Sequence, residues 1–433
     1  MSGAGTDPQS SAAPVMLSRA ARSAVLAATF LGWMGAGMEM SLLVPATRPA
    51  IQEFLAAGPS SLPADMASRQ LATSADQWLS WFIAAFLLGA AVGGLLFGWL
   101  GDRIGRTRAM GWSIVCYSLI TGLSYLVTTP GQLLVLRFLA CLGIGGMWPC
   151  GVALLMESVP GLSRAFLAGW IGTSANVGFV VLGVLMLWFP ITRESWRWVF
   201  LLGTTPVALG VLVLAALPES PQWLFAARTR SRETTGESVF RPPHLRRTLL
   251  GILLGTVPLL GGWASGQRLV PWAAQVAETA GRSDLVAQVQ IVFASGAVAG
   301  SLLGGWFASW LGCRWSYLAI SLGSLLLSLT IFLGNDPLQP NFLPLAFTLG
   351  LVSTSFFGWL PYYLPMLFPV SVRAAGTGVA FNFGRIFSAL ALMSSTGLSA
   401  WFAGDVGRMG AATSVVYAVG IVAAWWIPEP DGH

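Results

Sequence analysis

Stretches of about twenty apolar residues follow one another along almost the whole chain, with short polar breaks between them. A helix of that length spans a hydrocarbon core of ~30 Å. A backbone in lipid must also satisfy its own hydrogen bonds, which leaves helices as the economical solution for such runs. Twelve spans are predicted, at 24–46, 78–100, 109–128, 132–156, 165–190, 198–217, 248–272, 287–310, 315–333, 341–363, 375–400 and 411–428. Only 9% of the residues are charged and 55% are hydrophobic, whereas a soluble chain carries roughly a quarter charged. The fold class expected is an all-α integral membrane protein, with the lipid bilayer as its surroundings. The first apolar run lacks a cleavage pattern near its end and reads as a retained span.

Several chemistries are excluded by what is missing. The chain has no Lys, so it can build neither a Walker-type phosphate loop nor a Schiff base. His occurs only at positions 244 and 433, and the four Cys (116, 141, 150 and 313) lack metal-ligand spacing. No metal site, cofactor or nucleophile–base set is expected, and hence no enzyme. The net charge of +6 comes from Arg in loops and does not point to nucleic acid.

Arg asymmetry orients the chain. Fourteen Arg fall in one set of loops and tails and seven in the other, so both termini are expected in the cytoplasm of a multi-pass inner-membrane protein. Residues 1–20 read as a disordered cytoplasmic tail, 48–77 as a long external loop, and 218–247 as an Arg-rich cytoplasmic linker between an N-terminal bundle (21–217) and a C-terminal bundle (248–433).

The two bundles repeat one another. "FLLGAAVGGLLFGWLGDRIGR" (86–106) matches "FASGAVAGSLLGGWFASWLGC" (293–313) at Phe86, Gly89, Ala90, Gly93, Leu95, Leu96, Gly98, Trp99 and Gly105. Pro160 and Arg164 are echoed by Pro369 and Arg373. Two six-helix halves follow, and parallel repeats of this kind place a central site at their interface.

"GWLGDRIGRTR" (98–108) resembles the loop signature between spans 2 and 3 of the major facilitator superfamily. "RFLACLGIGGMWP" (137–149), "ESVPGLSR" (157–164), "WRWVFLLGTTP" (196–206), "PESPQWL" (218–224) and "LFPVSVRAAGTG" (367–378) are similar to its metabolite–proton symporter and sugar-porter branches. The "GGxWP" and "ESxP" pieces look more like the organic-acid and sialic-acid side. The resemblance implies a twelve-helix, two-bundle transporter working by alternating access. It implies a cytoplasmic gate at Gly98, Asp102, Arg103, Gly105, Arg106, Glu157, Arg164 and Arg373. The pattern departs at Met147 and Ala36, where organic-acid relatives often carry acids. It also departs at Ser309 and Trp310, which replace the Asp-Arg pair of the second-half motif. The glutamine-rich sugar signature of span 7 is missing.

Of the seventeen acids, only Glu39 falls well inside a span. A charge at that depth costs ~2.5–3.5 kcal/mol on insertion scales. Arg137 is its natural partner, because both sit ~9–11 Å below the external surface by helix rise. In proton-coupled sugar-porter relatives an acid in this position pairs with this Arg. The pair reads either as a proton-coupling switch or as a static ion pair that fixes helix register.

Arg385 lies ~15 Å into span 11, with no acid left to match it. It is a candidate receptor for an anionic substrate, because a guanidinium fork fits a carboxylate. An Arg satisfied by backbone carbonyls is the structural alternative. Trp33, Asn176, Trp263, Gln267, Trp359, Tyr362 and Asn382 are further cavity candidates, and "FFGWLPYYLP" (356–365) is a candidate bend. The expected function is symport of a small organic anion with protons. Sugar or polyol transport, drug efflux and a non-transporting nutrient sensor stand as alternatives.

Overall fold

The computed structural model describes residues 16–55, 64–189, 191–229, 238–264, 268–282, 284–393, 402 and 405–428. The first half consists of α1 (Arg19–Leu55), α2 (Ala64–Ile104), α3 (Arg106–Leu123), α4 (Pro130–Ser158), α5 (Arg164–Trp188), α6 (Trp198–Thr204) and α7 (Pro206–Ala216). The connecting segment carries α8 (Pro221–Thr229). The second half consists of α9 (Leu245–Ala264), α10 (Leu269–Ala280), α11 (Asp284–Leu311), α12 (Cys313–Gly334), α13 (Phe342–Tyr363), α14 (Arg373–Asn382), α15 (Gly384–Met393), α16 (Val406–Ser414) and α17 (Val416–Ala424).

Among the described residues, eleven helical segments are long and apolar enough to cross a membrane. The remaining predicted span is α14 followed by α15, joined by one tightened turn in which the Ile386 amide donates to the Phe383 carbonyl at 3.0 Å. A similar turn at Thr205 joins α6 to α7, because Pro206 brings no N–H to the ladder. The fold is the expected twelve-helix membrane bundle.

Two boundaries differ from the sequence reading. The segment 48–77 is not one long loop: α1 runs on to Leu55 and α2 begins at Ala64. The extension of α1 gains a partner, since Arg197 Nη1 donates to Glu53 at 2.6 Å and Trp196 Nε1 donates to the same carboxylate at 2.6 Å. Burial by itself raises the Glu53 pKa, but these hydrogen bonds and the Arg197 charge outweigh it and hold the pKa below the ordinary value. The span predicted to end at 272 stops at Ala264, and α10 is a separate helix.

The sequence repeat is a packing repeat. A side chain at Gly93 would run into the carbonyl of Leu142, and one at Gly300 into the carbonyl of Leu351. Thus α2 lies against α4 as α11 lies against α13, at a separation only glycine allows. The halves meet where α2 faces α14 and α15 and where α5 faces α11 and α13.

Candidate functional site

At the end of the molecule that carries the linker, the halves are closed by a buried polar network. Arg106 is fully buried at the start of α3. Its Nη1 donates to Asp102 Oδ1 at 2.7 Å, and its Nε donates to Glu157 Oε2 at 3.3 Å. Its Nη2 crosses to the other half and donates to the Val370 carbonyl at 2.6 Å. Arg373, also from the other half, donates to Glu157 Oε1 at 3.0 Å. The Asp102 carboxylate accepts from the amides of Ala374 at 3.2 Å and Ala375 at 2.8 Å. Those are free amides at the first turn of α14. An acid of the first half therefore caps a helix of the second.

A further acid completes this end. α3 starts after Gly105, which has φ 109° and no side chain to cap with. Glu219 of the linker takes over that role: the amides of Arg106 and Thr107 donate to its Oε1 at 2.9 and 3.1 Å. A Cβ at Gly105 would collide with this carboxylate, so the position needs glycine for both space and backbone. Burial pushes the Glu219 pKa up, against the opposing pull of the backbone amides and Arg106. Ser220 Oγ donates to Glu157 Oε2 at 2.6 Å, and Trp223 Nε1 donates to the Asp102 carbonyl at 3.0 Å. The linker is thus bonded into this network.

Of the predicted gate set, Gly98, Asp102, Gly105, Arg106, Glu157 and Arg373 come together. Gly98 lies where a side chain would press on the carbonyl of Ala374. Arg103 does not join; it is exposed and stacks its guanidinium 4.1 Å from the Trp99 ring. Arg164 is exposed at the start of α5, where its charge acts on Arg373 without a direct hydrogen bond to the network among the described residues. Glu219, Ser220, Trp223 and Gln222, whose Oε1 accepts from Arg373 Nη1 at 3.3 Å, join this network without having been expected in it. Their signal was "PESPQWL", which sequence reasoning used only as a family mark.

Deeper in, Trp148 of α4 stacks on Phe381 of α14 across the two halves, with centroids 4.0 Å apart and an interplanar angle of 18°. One turn further along, Arg385 is 3% exposed. Its guanidinium faces the rings of Phe86 at 5.1 Å and Phe381 at 5.5 Å. Its Nε has no hydrogen-bond partner among the described residues. Asn382 is buried at the same crossing, and its Nδ2 donates to the carbonyls of Gly145 at 3.2 Å and Gly378 at 3.1 Å. Asn176 also bridges the halves, donating to Ser301 Oγ at 3.1 Å.

Trp359 is elsewhere. It is fully buried and donates to the Cys313 carbonyl at 3.2 Å and to Ser316 Oγ at 3.0 Å, both on α12. These bonds hold its indole within the second half. Tyr362 is buried beside it in sequence, and Trp33 is buried in the first half. Gln267 and the side chain of Trp263 lie outside the described residues.

Glu39 and Arg137 meet as a fully buried pair between α1 and α4, through Oε1 and Nη1. Thr121 Oγ1 of α3 donates to the same oxygen at 2.8 Å. Glu39 Oε2 and Arg137 Nε and Nη2 are buried without partners among the described residues. A buried pair this sparsely bonded does not repay its desolvation well as a structural element.

The family model for the Major Facilitator Superfamily matches residues 25–392. The chain is 28% identical over 353 residues to a cis,cis-muconate transport protein of Acinetobacter baylyi, covering 79% of this chain and 83% of that one. It is 24% identical over 311 residues to a sialic acid transporter of Escherichia coli, covering 72% and 75%. Its fold is similar to that of the proton:xylose symporter XylE, with a TM-score of 0.75 at 16% identity over 95% and 96% of the two chains. The twelve-helix bundle, the repeated half and the family match agree: the chain belongs to the major facilitator superfamily and is a membrane transporter of small metabolites.

Proposed function

We propose that the protein imports a small organic anion together with protons. The observation that carries the anion reading is Arg385: a buried cation at the interface of the halves, faced by two aromatic rings, with an Nε that no described residue satisfies. A substrate carboxylate would supply the acceptor that this guanidinium lacks. Asn382 and Asn176, both at the junction of the halves, would exchange their present bonds for substrate as the halves separate. Two relatives named for carboxylates, muconate and sialic acid, favour the same class.

Glu39 is the proton site in this reading. Protonation neutralises the carboxylate and weakens its hold on Arg137, which frees α1 and α4 to move; deprotonation restores the pair. Arg asymmetry supports a linker face and both termini in the cytoplasm of an inner-membrane protein. The state described is then closed to the cytoplasm. The bundles 21–217 and 248–433 would rock about the 218–247 linker.

The test combines two variants in proteoliposomes with muconate and benzoate as probes and xylose as the neutral control. Arg385→Ala should remove the thermal shift produced by the carboxylates. Glu39→Gln should abolish accumulation driven by a proton gradient while leaving counterflow of the same probe. A thermal shift with xylose alone, or full gradient-driven accumulation by Glu39→Gln, would overturn the anion and proton parts respectively.

A further inference from the structure

The hydroxyl of Thr121 goes to a carboxylate on another helix. Ser and Thr on membrane helices commonly return their hydroxyl to a carbonyl one turn back. Thr29 does so to Val25, Thr47 to Leu43, Ser118 to Ile114 and Thr204 to Phe200. Thr121 instead points away from its own helix and donates to Glu39 Oε1 at 2.8 Å. Its pose is fixed from behind. Thr121 Cγ2 lies where a side chain at Gly203 of α6 would stand, so the close approach of α6 holds the rotamer.

The carboxylate is therefore divided into two unlike oxygens. Oε1 accepts from both Arg137 and Thr121, whereas Oε2 is buried with no partner among the described residues. The titratable and charged groups around it are few. Arg137 pairs with it from α4, and Cys141, one turn further along α4, feels both charges. Tyr117 of α3 lies near but spends its hydroxyl on the Gly32 carbonyl at 3.0 Å. Among the described residues, Thr121 is the one neutral donor to the carboxylate.

We propose that Thr121 is a positioning residue for proton coupling: it stabilises the charged form of Glu39, directs the proton to Oε2, and so sets the pH at which the switch works. The inference rests on the reading of Glu39 as the proton site. A hydrogen bond to an ionised group favours that ionised form. Its loss leaves Arg137 in place and lets the proton bind at higher pH. The geometry also explains the third helix of the switch: α3 carries the donor, α1 the acid and α4 the cation.

The experiment is an infrared pH titration of the purified protein between about pH 4 and 9, following the carboxylic-acid C=O band that Glu39→Gln removes. Thr121→Val keeps the shape of the side chain and should move the midpoint of that band upward by about one pH unit or more. Thr121→Ala removes the donor with less crowding and should move it in the same direction. Thr121→Ser restores the hydroxyl and should return the wild-type midpoint. A band present with the same midpoint in all three variants overturns the role of Thr121 alone. The absence of any band that Glu39→Gln removes overturns the proton site itself, and this inference with it.

Discussion

Replacing Asp102 with Asn isolates one of the contacts that hold the two halves together at the linker face, beside the Arg106–Val370 and Arg373–Glu157 bonds. Asp102, Arg106 and Glu157 all belong to the first half and travel together, so their mutual pairing largely cancels between the closed and open states. What does not cancel is the capping of α14, where two amides donate to the Asp102 carboxylate at 3.2 and 2.8 Å. Asn keeps one acceptor oxygen and loses the charge. One charge-assisted bond is forfeited and the other becomes neutral, a loss of about 1.5–3 kcal/mol from the closed state alone. That corresponds to a shift of roughly 10- to 150-fold in the ratio of open to closed molecules. Pulsed electron spin resonance would read it, with labels at exposed Leu162 and Arg246, one in each half, in a background with the four cysteines replaced. The ratio of the long-distance to the short-distance population should grow by that factor in Asp102→Asn. It should not change in Arg103→Gln, whose guanidinium lies on Trp99 outside the network. An unaltered distribution in Asp102→Asn would refute the argument that the capping of α14 helps to hold this face shut.

Other expectations follow from the same geometry. Gly105→Ala forces a side chain into a left-handed backbone and against Glu219, and should lower stability by about 1–3 kcal/mol, seen as a lower melting midpoint in detergent. Gly93→Val and Gly300→Val occupy equivalent crossings and should each cost at least about 1–3 kcal/mol by overpacking, while Gly131→Val, with nothing within 4 Å of its Cβ, should cost far less. The Glu53 pKa is held down in the folded state, so its contribution to stability is full above the unfolded value near 4.3 and is lost as pH falls through the lower folded value. Melting midpoints followed from pH ~7 down to pH ~3 should therefore decline less steeply in Arg197→Ala than in the wild type.

The membrane class, the spans and the repeat were legible because hydropathy and helix length act on twenty residues at once. The glycine matches were legible for the same reason that they pack: a side chain at Gly93 or Gly300 has no room. Glu39 and Arg137 could be paired by arithmetic, because helix rise fixes depth. Local competition was not legible. Nothing in "FFGWL" states that the Trp359 indole is claimed by Cys313 and Ser316 of another helix. Nor does the Arg cluster after span 2 reveal that Arg106 turns inward while Arg103 turns out. The role of Glu219 was hidden because its ligands are backbone amides at the start of α3, which carry no sequence signature. The helical extension of α1 was hidden because Pro45 and Pro49 argue for a break, and the contacts of Glu53 with Trp196 and Arg197 override them.

The capping of α14 by Asp102 has one more implication. A helix normally carries its own start signal, within reach of its first turn. Here the residue just before α14, Val372, provides no side-chain cap, and an acid of the opposite half supplies one. Each time the linker face opens, α14 gives up its cap, and its first turn must turn to water for the missing acceptors. Opening this face is therefore also a small act of unfolding, so heat or denaturant, applied gently, should bias the transport cycle well before it melts the protein.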